Sequence, residues 1–369
     1  MSPSRDKARV LLVTPDFPPA FGGIQGMMLR LAENFDRVET RLIALGGTGA
    51  GEFDRSHNLD VVRVGHPTRL GHSGAIALLN AAALPAAMRF RPGVVLSGHI
   101  NVSPAAMTIR RLLRTPYVQY LHGREVVIRP RLTAAGLRAA AAVVAVSSYT
   151  EGLALAHGAE APRVHRIPPG VDLPAPSVSE RAQAPTIVTI ARLEQRYKGQ
   201  DVLIRALPLV RSRIPGARLI VVGDGPMRPV YESLARSLGL DAGVEFAGGL
   251  DDAERDRLLD RAHVFAMPSR LPLDGGGEGF GIVYLEAAAH GVPSVAGNVA
   301  GAIDAVVHGE TGLLVDPTNH VAVADALTTL LAAPERAGRL GRAGAARAQE
   351  FAWPTIARRV EDVLLAVAR

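Results

Sequence analysis

Short apolar runs alternate with longer amphipathic stretches along almost the whole chain. In the first half, the runs have the length of buried strands, and the stretches between them have the 3.6-residue period of helices. The predicted strands are Arg9–Thr14, Arg41–Leu45, Asp60–Val64, Val94–Ser97, Tyr117–Tyr120, Val143–Val146 and Val164–Ile167. The predicted helices are Gln25–Phe35, Ala75–Arg89, Ala105–Leu113 and Ala134–Ala140. This alternation predicts a parallel α/β domain over residues 1–170.

A second alternating series begins after residues 171–185, which are rich in Pro, Ser and Ala and are predicted to be a linker. The predicted strands are Thr186–Ala191, Arg218–Val222, Val244–Phe246, Val264–Met267, Ser294–Ala296 and Leu313–Val315. The predicted helices are Gln200–Arg213, Pro229–Leu238, Ala253–Ala262, Gly281–His290, Val321–Leu331, Pro334–Glu350 and Pro354–Val367. The expected fold class is therefore α/β, with two Rossmann-like domains, the second over residues 186–353.

The amino-acid composition is that of a two-domain globular protein without disulfides. The 369 residues suffice for two domains, and 48% hydrophobic with only 4% aromatic residues predicts aliphatic cores. The absence of cysteine excludes disulfides, thiol nucleophiles and cysteine metal sites. Residues 1–7 lack the apolar core of a signal peptide, and no apolar run has spanning length, so a soluble cytoplasmic protein is expected.

The net charge of +6 is unevenly distributed. Residues 1–178 carry 20 Lys and Arg against 12 Asp and Glu, net +8, whereas residues 179–369 carry 21 against 23, net −2. A basic half suits acidic substrates or an anionic lipid surface. Nucleic acid is not expected, because no nucleic-acid-binding motif accompanies the charge. Arginine-rich usage from a GC-rich genome would explain the same composition.

The stretch that most suggests chemistry is Glu278–Glu286, which follows the glycines 275–277. A loop ending at Glu278 and a helix beginning near Gly281 would direct the free amides of the first helical turn at a ligand. The helix dipole makes that end attractive to an anion. Glu278 and Glu286 would then accept hydrogen bonds from sugar hydroxyls, although an ordinary capped helix with solvated carboxylates would look similar.

Three further candidates follow predicted strands. Gly22-Gly23 permits close approach of a ligand to the backbone, although a plain tight turn has the same sequence. Arg192, Arg196 and Lys198 place cations at the carboxyl end of a strand, where α/β sheets bind ligands and a diphosphate would suit them. His122 follows another strand end and precedes a glycine.

Other classes of site lack their motifs. No G-x-G-x-x-G or Walker sequence is present, which counts against NAD and ATP. His290, His308 and His320 lack ligand spacing, and no Asp-x-Asp follows a strand, so no metal site is expected. Asp251-Asp252 indicates a helix cap, and Ser147-Ser148 lacks the glycines of a nucleophile elbow.

Taken in order, these segments resemble the retaining, nucleotide-sugar-dependent glycosyltransferases of family four, which have the two-domain GT-B fold with a cleft between the domains. The resemblance covers nearly the whole chain. The matching segments are 16–25, His122-Gly123, Arg192 to Gly199, 223–226, Glu278–Glu286, 291–293 and 309–315. Two segments, residues 17–25 and Phe265–Arg270, are most similar to actinobacterial phosphatidylinositol mannosyltransferases.

The resemblance implies a role for each matched position. Arg192 and Lys198 would bind the donor diphosphate and stabilise the leaving group, and His122 would face the sugar near its reacting carbon. Glu278 would bind the transferred hexose and Glu286 the ribose hydroxyls. The remaining donor-binding positions would be Gly22, Gly23, Gly223, Phe280, Gly281 and Ile282, with Gln25 and Arg124 as acceptor candidates.

Two departures from the family pattern affect these assignments. The spacing between Arg192 and Lys198 is one residue longer than in the commonest pattern, so Arg196 is a further phosphate candidate. The stretch after His122 is short and basic, so the acceptor-binding residues of the family cannot be assigned safely to positions in this sequence. The donor implied is a nucleotide-diphosphate sugar, with GDP-mannose favoured and a UDP-sugar as the alternative. No permanently bound cofactor is expected.

The expected mechanism needs no metal, because fixed cations and a helix N-terminus stabilise the departing diphosphate. The acceptor hydroxyl would attack from the same face, with a leaving phosphate oxygen as base. Domain closure would exclude water. The alternative functions are a transferase acting on a soluble sugar or aminocyclitol, a sugar-nucleotide epimerase of the same fold, and a non-catalytic binding subunit.

Two expectations concern the first domain. The helix from Pro354, within residues 354–369, is expected to cross back onto it, because Trp353-Pro354 interrupts the preceding helix. Six arginines, interleaved with apolar residues, are expected near the strand ends by His122 and to rest on anionic lipid, which predicts peripheral contact with the inner face of the membrane. They are Arg110, Arg111, Arg114, Arg124, Arg129 and Arg131. A buried helix with a solvated arginine face would have the same pattern.

Overall fold

The computed structural model describes residues 7–175, 181–272 and 275–369. The chain divides into two compact units, one formed by Met1–Gly170 with Trp353–Arg369 and the other by Val171–Ala352. Part of the predicted linker, residues 176–180, and the first two residues of the 273–277 segment lie outside the described residues.

The first unit contains a seven-stranded parallel sheet in the order β3-β2-β1-β4-β5-β6-β7. Its strands are β1 (Ala8–Thr14), β2 (Val38–Leu45), β3 (Val61–Val64), β4 (Val94–Ser97), β5 (Tyr117–Leu121), β6 (Ala142–Ala145) and β7 (Val164–Arg166). Val10 on the interior strand β1 pairs with Thr40 on one side and Val94 on the other. All residues of β4, β5 and β6 are buried, as expected for strands covered by helices on both faces.

Helices of the first unit surround this sheet within the described residues. They are α1 (Gly23–Asn34), α2 (Ala50–His57), α3 (Pro67–Phe90), α4 (Ser103–Leu113), α5 (Arg124–Ile128), α6 (Pro130–Ala139), α7 (Ser148–Ala156) and α15 (Trp353–Val367). The inward faces of α3 and α4 supply Leu79, Ala83 and Ile109 to the core beside Leu11 and Val95 of the sheet. This packing buries the aliphatic side chains that the periodicity predicts.

Helix α3 is longer than its predicted extent. It starts at Pro67, contains a non-helical residue at Gly71 and carries Pro85 in its interior. In length and mean hydropathy it is the one helix among the described residues that could cross a membrane. Core helices of globular proteins pass the same test, and Ile76 and Leu79 of α3 are buried in this unit.

Helix α15 follows the second unit in sequence and packs against α1 and the central strands of the first unit. Ile356, Val360 and Leu364 are completely buried. The carboxylate of Glu361, also buried, accepts a hydrogen bond from the backbone amide of Arg37 at 2.7 Å. The helix therefore forms part of the first unit's core.

The second unit contains a six-stranded parallel sheet in the order β10-β9-β8-β11-β12-β13. Its strands are β8 (Thr186–Ile190), β9 (Arg218–Val222), β10 (Val244–Gly248), β11 (Val264–Met267), β12 (Ser294–Gly297) and β13 (Gly312–Val315). Its helices are α8 (Gln200–Arg211), α9 (Arg228–Ser237), α10 (Asp252–Arg261), α11 (Ile282–Ala289), α12 (Ala302–Ala305), α13 (His320–Ala332) and α14 (Pro334–Ala348). The predicted α/β architecture is confirmed in both units.

Among the helices that the structure describes, α2, α5, α7 and α12 were not predicted from the sequence. Helix α2 buries only Ala50, and α5 and α12 are one turn or little more, so none presents an apolar stripe. Helix α7 begins with a reciprocal capping box between Ser147 and Thr150, so Ser147 is a helix cap. The predicted cap at Asp251 is confirmed, since its side chain accepts from the amide of Glu254 at 2.8 Å.

Candidate functional site

The loops that follow β8 and β9 lie against each other at the carboxyl edge of the second sheet. The amide of Leu193 donates to the carbonyl of Asp224 at 2.9 Å. Gly223 has a φ of 119°, and a Cβ there would lie 2.0 Å from the carbonyl oxygen of Ala191. A side chain at this position would separate the two loops, so Gly223 lets the loop of residues 191–199, here called the cationic loop, lie on its neighbour.

The cationic loop also lies on the end of β11. Gly199, with a φ of 85°, has no room for a Cβ, which would lie 2.2 Å from the carbonyl oxygen of Pro268. The amide of Arg270 donates to the carbonyl of Tyr197 at 2.8 Å. The guanidinium of Arg270 forms a two-pronged ion pair with Asp201 at 3.1 and 2.9 Å. Asp201 therefore joins the two loops in addition to its place in the first turn of α8.

Lys198 and Glu278 meet at this edge. The Nζ of Lys198 donates to Oε2 of Glu278, and the two side chains are 20% and 12% exposed. Burial alone would lower the pKa of Lys198, but the charge and hydrogen bond of Glu278 outweigh it and raise the pKa above its usual value. The lysine is therefore charged throughout the physiological pH range.

The two arginines of the loop have a different environment. The guanidinium of Arg192 contacts Glu194 at 3.3 Å, and both side chains are more than half exposed. Arg196 is also exposed and begins the short 3-10 helix Arg196–Lys198. All three predicted cations thus lie on one loop, one of them buried in an ion pair and two in contact with solvent.

The nonapeptide Glu278–Glu286 forms the predicted loop and helix. Helix α11 starts at Ile282, within one residue of its predicted start, and Gly281 precedes it with a φ of 90°. No side chain caps this end, so its first amides remain open to a ligand. The Phe280 side chain is buried against Phe351, with ring centroids 6.1 Å apart, so only its backbone is available to a ligand.

The loop before α11 is fixed by close backbone contacts. The amide of Gly301 donates to the carbonyl of Glu278 at 2.9 Å, and a Cβ on Gly301 would lie 1.9 Å from the carbonyl oxygen of Gly279. The buried hydroxyl of Tyr284 donates to the carbonyl of Met267 at 2.5 Å. Glu278 is thereby held at the end of β11, beside Lys198.

Glu286 lies in a separate environment between α10 and α11. Its Oε1 is 3.5 Å from Nη1 of Arg255, and both side chains are 21% exposed. They line a small cavity with His290 and the segment Asp172–Pro174. Burial raises the pKa of Glu286, Arg255 opposes this shift, and the carboxylates of Asp252, Asp256 and Asp172 add to it.

In the first unit, His122 lies at the carboxyl end of β5. Its Nε2 is 2.7 Å from the carbonyl oxygen of Gly98, so Nε2 carries the proton and Nδ1 a lone pair in the neutral ring. Its amide donates to the buried carboxylate of Glu125 at 2.5 Å. The ring stacks on Tyr120 with centroids 5.3 Å apart. Main-chain contacts therefore fix both the position and the tautomer of this histidine.

The glycine pair and its neighbours lie where β1 passes into α1. Gly22 precedes the helix with a φ of 154°, and a Cβ there would meet Oε1 of Gln25 at 2.2 Å. Gly23 is the first residue of α1, and Nε2 of Gln25 donates to Oδ1 of Asp16 at 3.0 Å. Arg124 begins the short helix α5, directly after His122-Gly123.

One prediction about the basic surface is wrong. Arg110 and Arg111 lie in the last turn of α4, and Arg114 follows its end, where the chain enters the amino end of β5. His122 follows the carboxyl end of that strand, so these three arginines lie at the opposite edge of the sheet. Only Arg124, Arg129 and Arg131 lie on the side of His122.

Three neighbours of the site lack any signal in the sequence. Arg255 reaches Glu286 from another helix, and Glu125 supports His122 through its backbone amide. His99 follows β4, and its ring centroid is 6.2 Å from that of His122. Its Nδ1 accepts from the amide of Asn101, and burial lowers its pKa, so the ring is neutral. Among the described residues, no group of three or more His, Asp or Glu side chains could hold a metal ion.

Comparison with known proteins yields two family matches. Residues 176–347 match "Glycosyl transferases group 1", and residues 21–174 match "Glycosyltransferase Family 4". A GDP-mannose-dependent alpha-(1-6)-phosphatidylinositol monomannoside mannosyltransferase of Mycolicibacterium smegmatis is 36% identical over 96% of this chain and 98% of its own length. A Corynebacterium glutamicum enzyme described as acting on the monoacylated form is 32% identical over 99% of both chains.

Solved structures give the same fold at lower identity. A sucrose-phosphate synthase from Thermosynechococcus elongatus superposes with a TM-score of 0.84 at 22% identity, covering 98% of this chain and 99% of its own. Anabaena HepE in complex with UDP and glucose gives a TM-score of 0.80 at 21% identity, covering 97% and 100%.

Proposed function

The chain belongs to glycosyltransferase family four, and we propose that it transfers mannose from GDP-mannose to a hydroxyl of a phosphatidylinositol-linked acceptor. It is a nucleotide-sugar-dependent glycosyltransferase with the GT-B fold. The observation that carries the site assignment is the partly buried ion pair of Lys198 and Glu278 beside the amino end of α11. Relatives that match almost the whole chain and are GDP-mannose-dependent phosphatidylinositol monomannoside mannosyltransferases support the proposed donor and acceptor.

The electrostatics of this pair support a role in binding the donor. A charged lysine beside open helix amides favours a diphosphate, since both stabilise negative charge. Glu278 balances the lysine and keeps acceptor capacity on Oε1 for a sugar hydroxyl, because only Oε2 bonds Lys198. Arg192 and Arg196 reach solvent from the same loop and can close onto the phosphates. Glu286 binds the ribose in this proposal.

The reaction follows from where charge develops. Breaking the bond between the anomeric carbon and the phosphate oxygen leaves negative charge on the nucleoside diphosphate, and Lys198, Arg192 and the amides of α11 stabilise it. The acceptor oxygen forms the new bond on the same face of the sugar, and its proton passes to the leaving phosphate oxygen. We propose that His122, with Nε2 donating to Gly98, is the residue of the first unit that faces the sugar.

We propose that the transfer needs no metal ion, because the cations and helix amides supply the stabilisation of the leaving group. Activity should then persist in excess EDTA. Loss of activity that magnesium or manganese restores would contradict this part of the proposal.

We propose peripheral contact with the inner face of the membrane through the far-edge patch, which we define as the exposed Met88, Leu112 and Leu113 with five arginines. The arginines are Arg89, Arg91, Arg110, Arg111 and Arg114. Met88 and Leu112 are 60% and 61% exposed. No ion pair neutralises these arginines within residues 7–175, 181–272 and 275–369. Each exposed cation near an anionic bilayer contributes about 1 kcal/mol.

Vesicle flotation tests this contact. Binding to phosphatidylinositol vesicles should rise with the anionic lipid fraction and fall with salt. The triple variant R110S/R111S/R114S should lose most of it, whereas R336S/R339S on α14 of the second unit is the control. If R124S/R129S/R131S loses binding instead, the membrane contact lies on the side of His122. If the wild-type protein does not bind at low salt, a soluble acceptor is favoured.

The donor and acceptor are tested directly with purified protein. GDP-mannose should raise the melting temperature more than UDP-sugars do, because a ligand at 100 times its dissociation constant adds about 2.7 kcal/mol. Product analysis should give a mannosylated phosphatidylinositol species with the α configuration retained. Conversion of the nucleotide sugar without any acceptor would identify an epimerase. Transfer only to free sugars or cyclitols would exclude the lipid acceptor.

A further inference from the structure

We propose that Arg255 is a positioning residue for donor binding: it holds Glu286 ionised and oriented to accept both hydrogen bonds from the vicinal ribose hydroxyls. This inference rests on the proposed role of Glu286. It extends that role to a residue of another helix that no sequence motif contains.

The geometry places Arg255 between several carboxylates. Its Nη1 is 2.8 Å from Asp252 and 3.5 Å from Glu286, and its Nη2 is 3.1 Å from Asp256. Asp252 is the first residue of α10 and its side chain is 76% exposed, so water screens that contact. The contact of Arg255 with Glu286 is less exposed, so the electrostatic interaction in that contact is the stronger one.

The groups around Glu286 would favour its protonation without the arginine. Asp252 and Asp256 face it from α10, Asp172 approaches from the segment after the first unit, and His290 follows on its own helix. His290 already contacts Asp260 at 2.7 Å and Asp256 at 3.6 Å. Within the described residues, Arg255 is thus the cation that faces Glu286, whereas burial and three carboxylates act against ionisation of Glu286.

Ionisation matters because of what a diol requires. Two adjacent hydroxyls donate two hydrogen bonds, and a carboxylate offers two acceptor oxygens. A protonated carboxyl group is uncharged and has only one oxygen left purely as an acceptor, so its hydrogen bonds to the diol are weaker than those of the carboxylate. Loss of Arg255 should therefore weaken ribose recognition most at low pH, where protonation of Glu286 is favoured.

The cavity supports this assignment. Glu286 and Arg255 line it together with Asp172–Pro174, so the carboxylate and its guanidinium partner border the same space. Arg255 is held by Asp252 and Asp256 on its own helix, which fixes the guanidinium opposite Glu286. The arginine is thus pre-organised before any ligand binds.

The test compares the affinity for GDP with that for 2′-deoxy-GDP at pH 6.0 and pH 8.5, measured by calorimetry. In the wild-type protein the loss of one hydroxyl should weaken binding about tenfold to a hundredfold at both pH values, as for hydrogen bonds to charged groups. In R255L the ratio should be smaller than in the wild type, and the difference should be larger at pH 6.0 than at pH 8.5. R255K should keep most of the ratio.

Two variants make the outcome decisive. R257L alters an exposed arginine of the same helix and should behave as the wild type. E286Q should lose the discrimination at both pH values. If E286Q loses it and R255L keeps it at both pH values, the inference about Arg255 is wrong while the ribose assignment stands. If E286Q keeps it, the ribose assignment fails and the inference falls with it.

A purely structural role for Arg255 gives a different signature. R255L would then weaken GDP and 2′-deoxy-GDP equally at both pH values and would leave their ratio unchanged. R255K, which restores charge without the guanidinium geometry, would fail to restore affinity. That result would overturn the positioning role.

Discussion

The carboxyl edges of the two sheets are built in different ways. In the second unit, ion-paired side chains from separate elements meet: Lys198 with Glu278, and Arg270 with Asp201. In the first unit, main-chain groups fix the candidate residue, since His122 bonds the carbonyl of Gly98 and its own amide bonds Glu125. Charge prepared before binding suits a phosphorylated donor. A backbone-anchored ring suits contact with a sugar.

The largest effect on turnover should come from removing the cations at the carboxyl edge of the second sheet. Lys198→Ala should reduce turnover by a factor of hundreds or more, since losing one contact to a developing anion costs roughly 2.7–4 kcal/mol. Arg192→Ala should cost less, because its side chain is 63% exposed and water partly replaces it. The measurement is kcat and KM for the donor, with Arg213→Ala on the exposed face as control. Near-normal turnover in both variants would remove the diphosphate assignment.

The next largest effect tests whether backbone packing holds that edge in place. Gly301→Ala should lower donor affinity and stability together, because its Cβ would lie 1.9 Å from the carbonyl oxygen of Gly279. Overpacking of this kind typically costs about 1–3 kcal/mol. Gly152→Ala, on helix α7 of the first unit, has open space at the Cβ and serves as the control. Unchanged donor affinity in Gly301→Ala would show that the loop adapts.

Two matching capping boxes allow a smaller test of the same contrast. Asp251→Ala and Ser147→Ala each remove an N-cap, worth about 1 kcal/mol of stability. Only Asp251→Ala should also weaken donor binding, because α10 carries Arg255. Melting curves with and without GDP separate the two effects. Equal ligand-induced shifts in both variants would mean that α10 does not influence the donor site.

The smallest effect should be on stability, and it concerns the buried carboxyl group of Glu361 in the core of the first unit. Burial raises the pKa of Glu361, and the amide of Arg37 opposes this only in part. A raised pKa in the folded state means that stability falls as pH rises from the ordinary Glu value of about 4.3 to the folded value. Glu361→Gln should therefore gain melting temperature relative to the wild type as pH rises from 5 to 8.

The change in melting temperature should be modest, since even a full 1 kcal/mol corresponds to only about 2–4 °C in a domain of this size. Glu350→Gln, at an exposed position, is the control. A Glu361→Gln variant whose difference from the wild type does not depend on pH would show that the carboxyl group keeps the same protonation state in the folded and unfolded chains.

The strands could be predicted well because parallel strands buried on both faces appear as short continuous apolar runs. Val94–Ser97, Arg218–Val222 and Val264–Met267 match their predicted extents. The helix after Gly281 could be predicted equally well, because glycines before it and a Gly-Val-Pro segment after it limit its length. Helix α2 could not be found because Ala50 is its only buried residue.

The parts of the site that escaped prediction share a physical cause. Arg255 and Glu286 are 31 positions apart on separate helices, and only the packing of α10 and α11 brings them together. The placement of Arg110 beside His122 failed for the opposite reason. The two are close in sequence, but β5 separates them and carries the chain from one edge of the sheet to the other.

The return of helix α15 to the first unit has a consequence for biosynthesis. Residues 171–352 form one uninterrupted segment, so the second unit can fold as soon as it leaves the ribosome. The first unit is synthesised earlier but needs Ile356, Val360 and Leu364 to complete its core. The first unit is therefore synthesised first but completes its fold after the second unit. A nascent chain stopped before Trp353 would carry a finished second unit and an exposed apolar surface on the first, which is a substrate for chaperones.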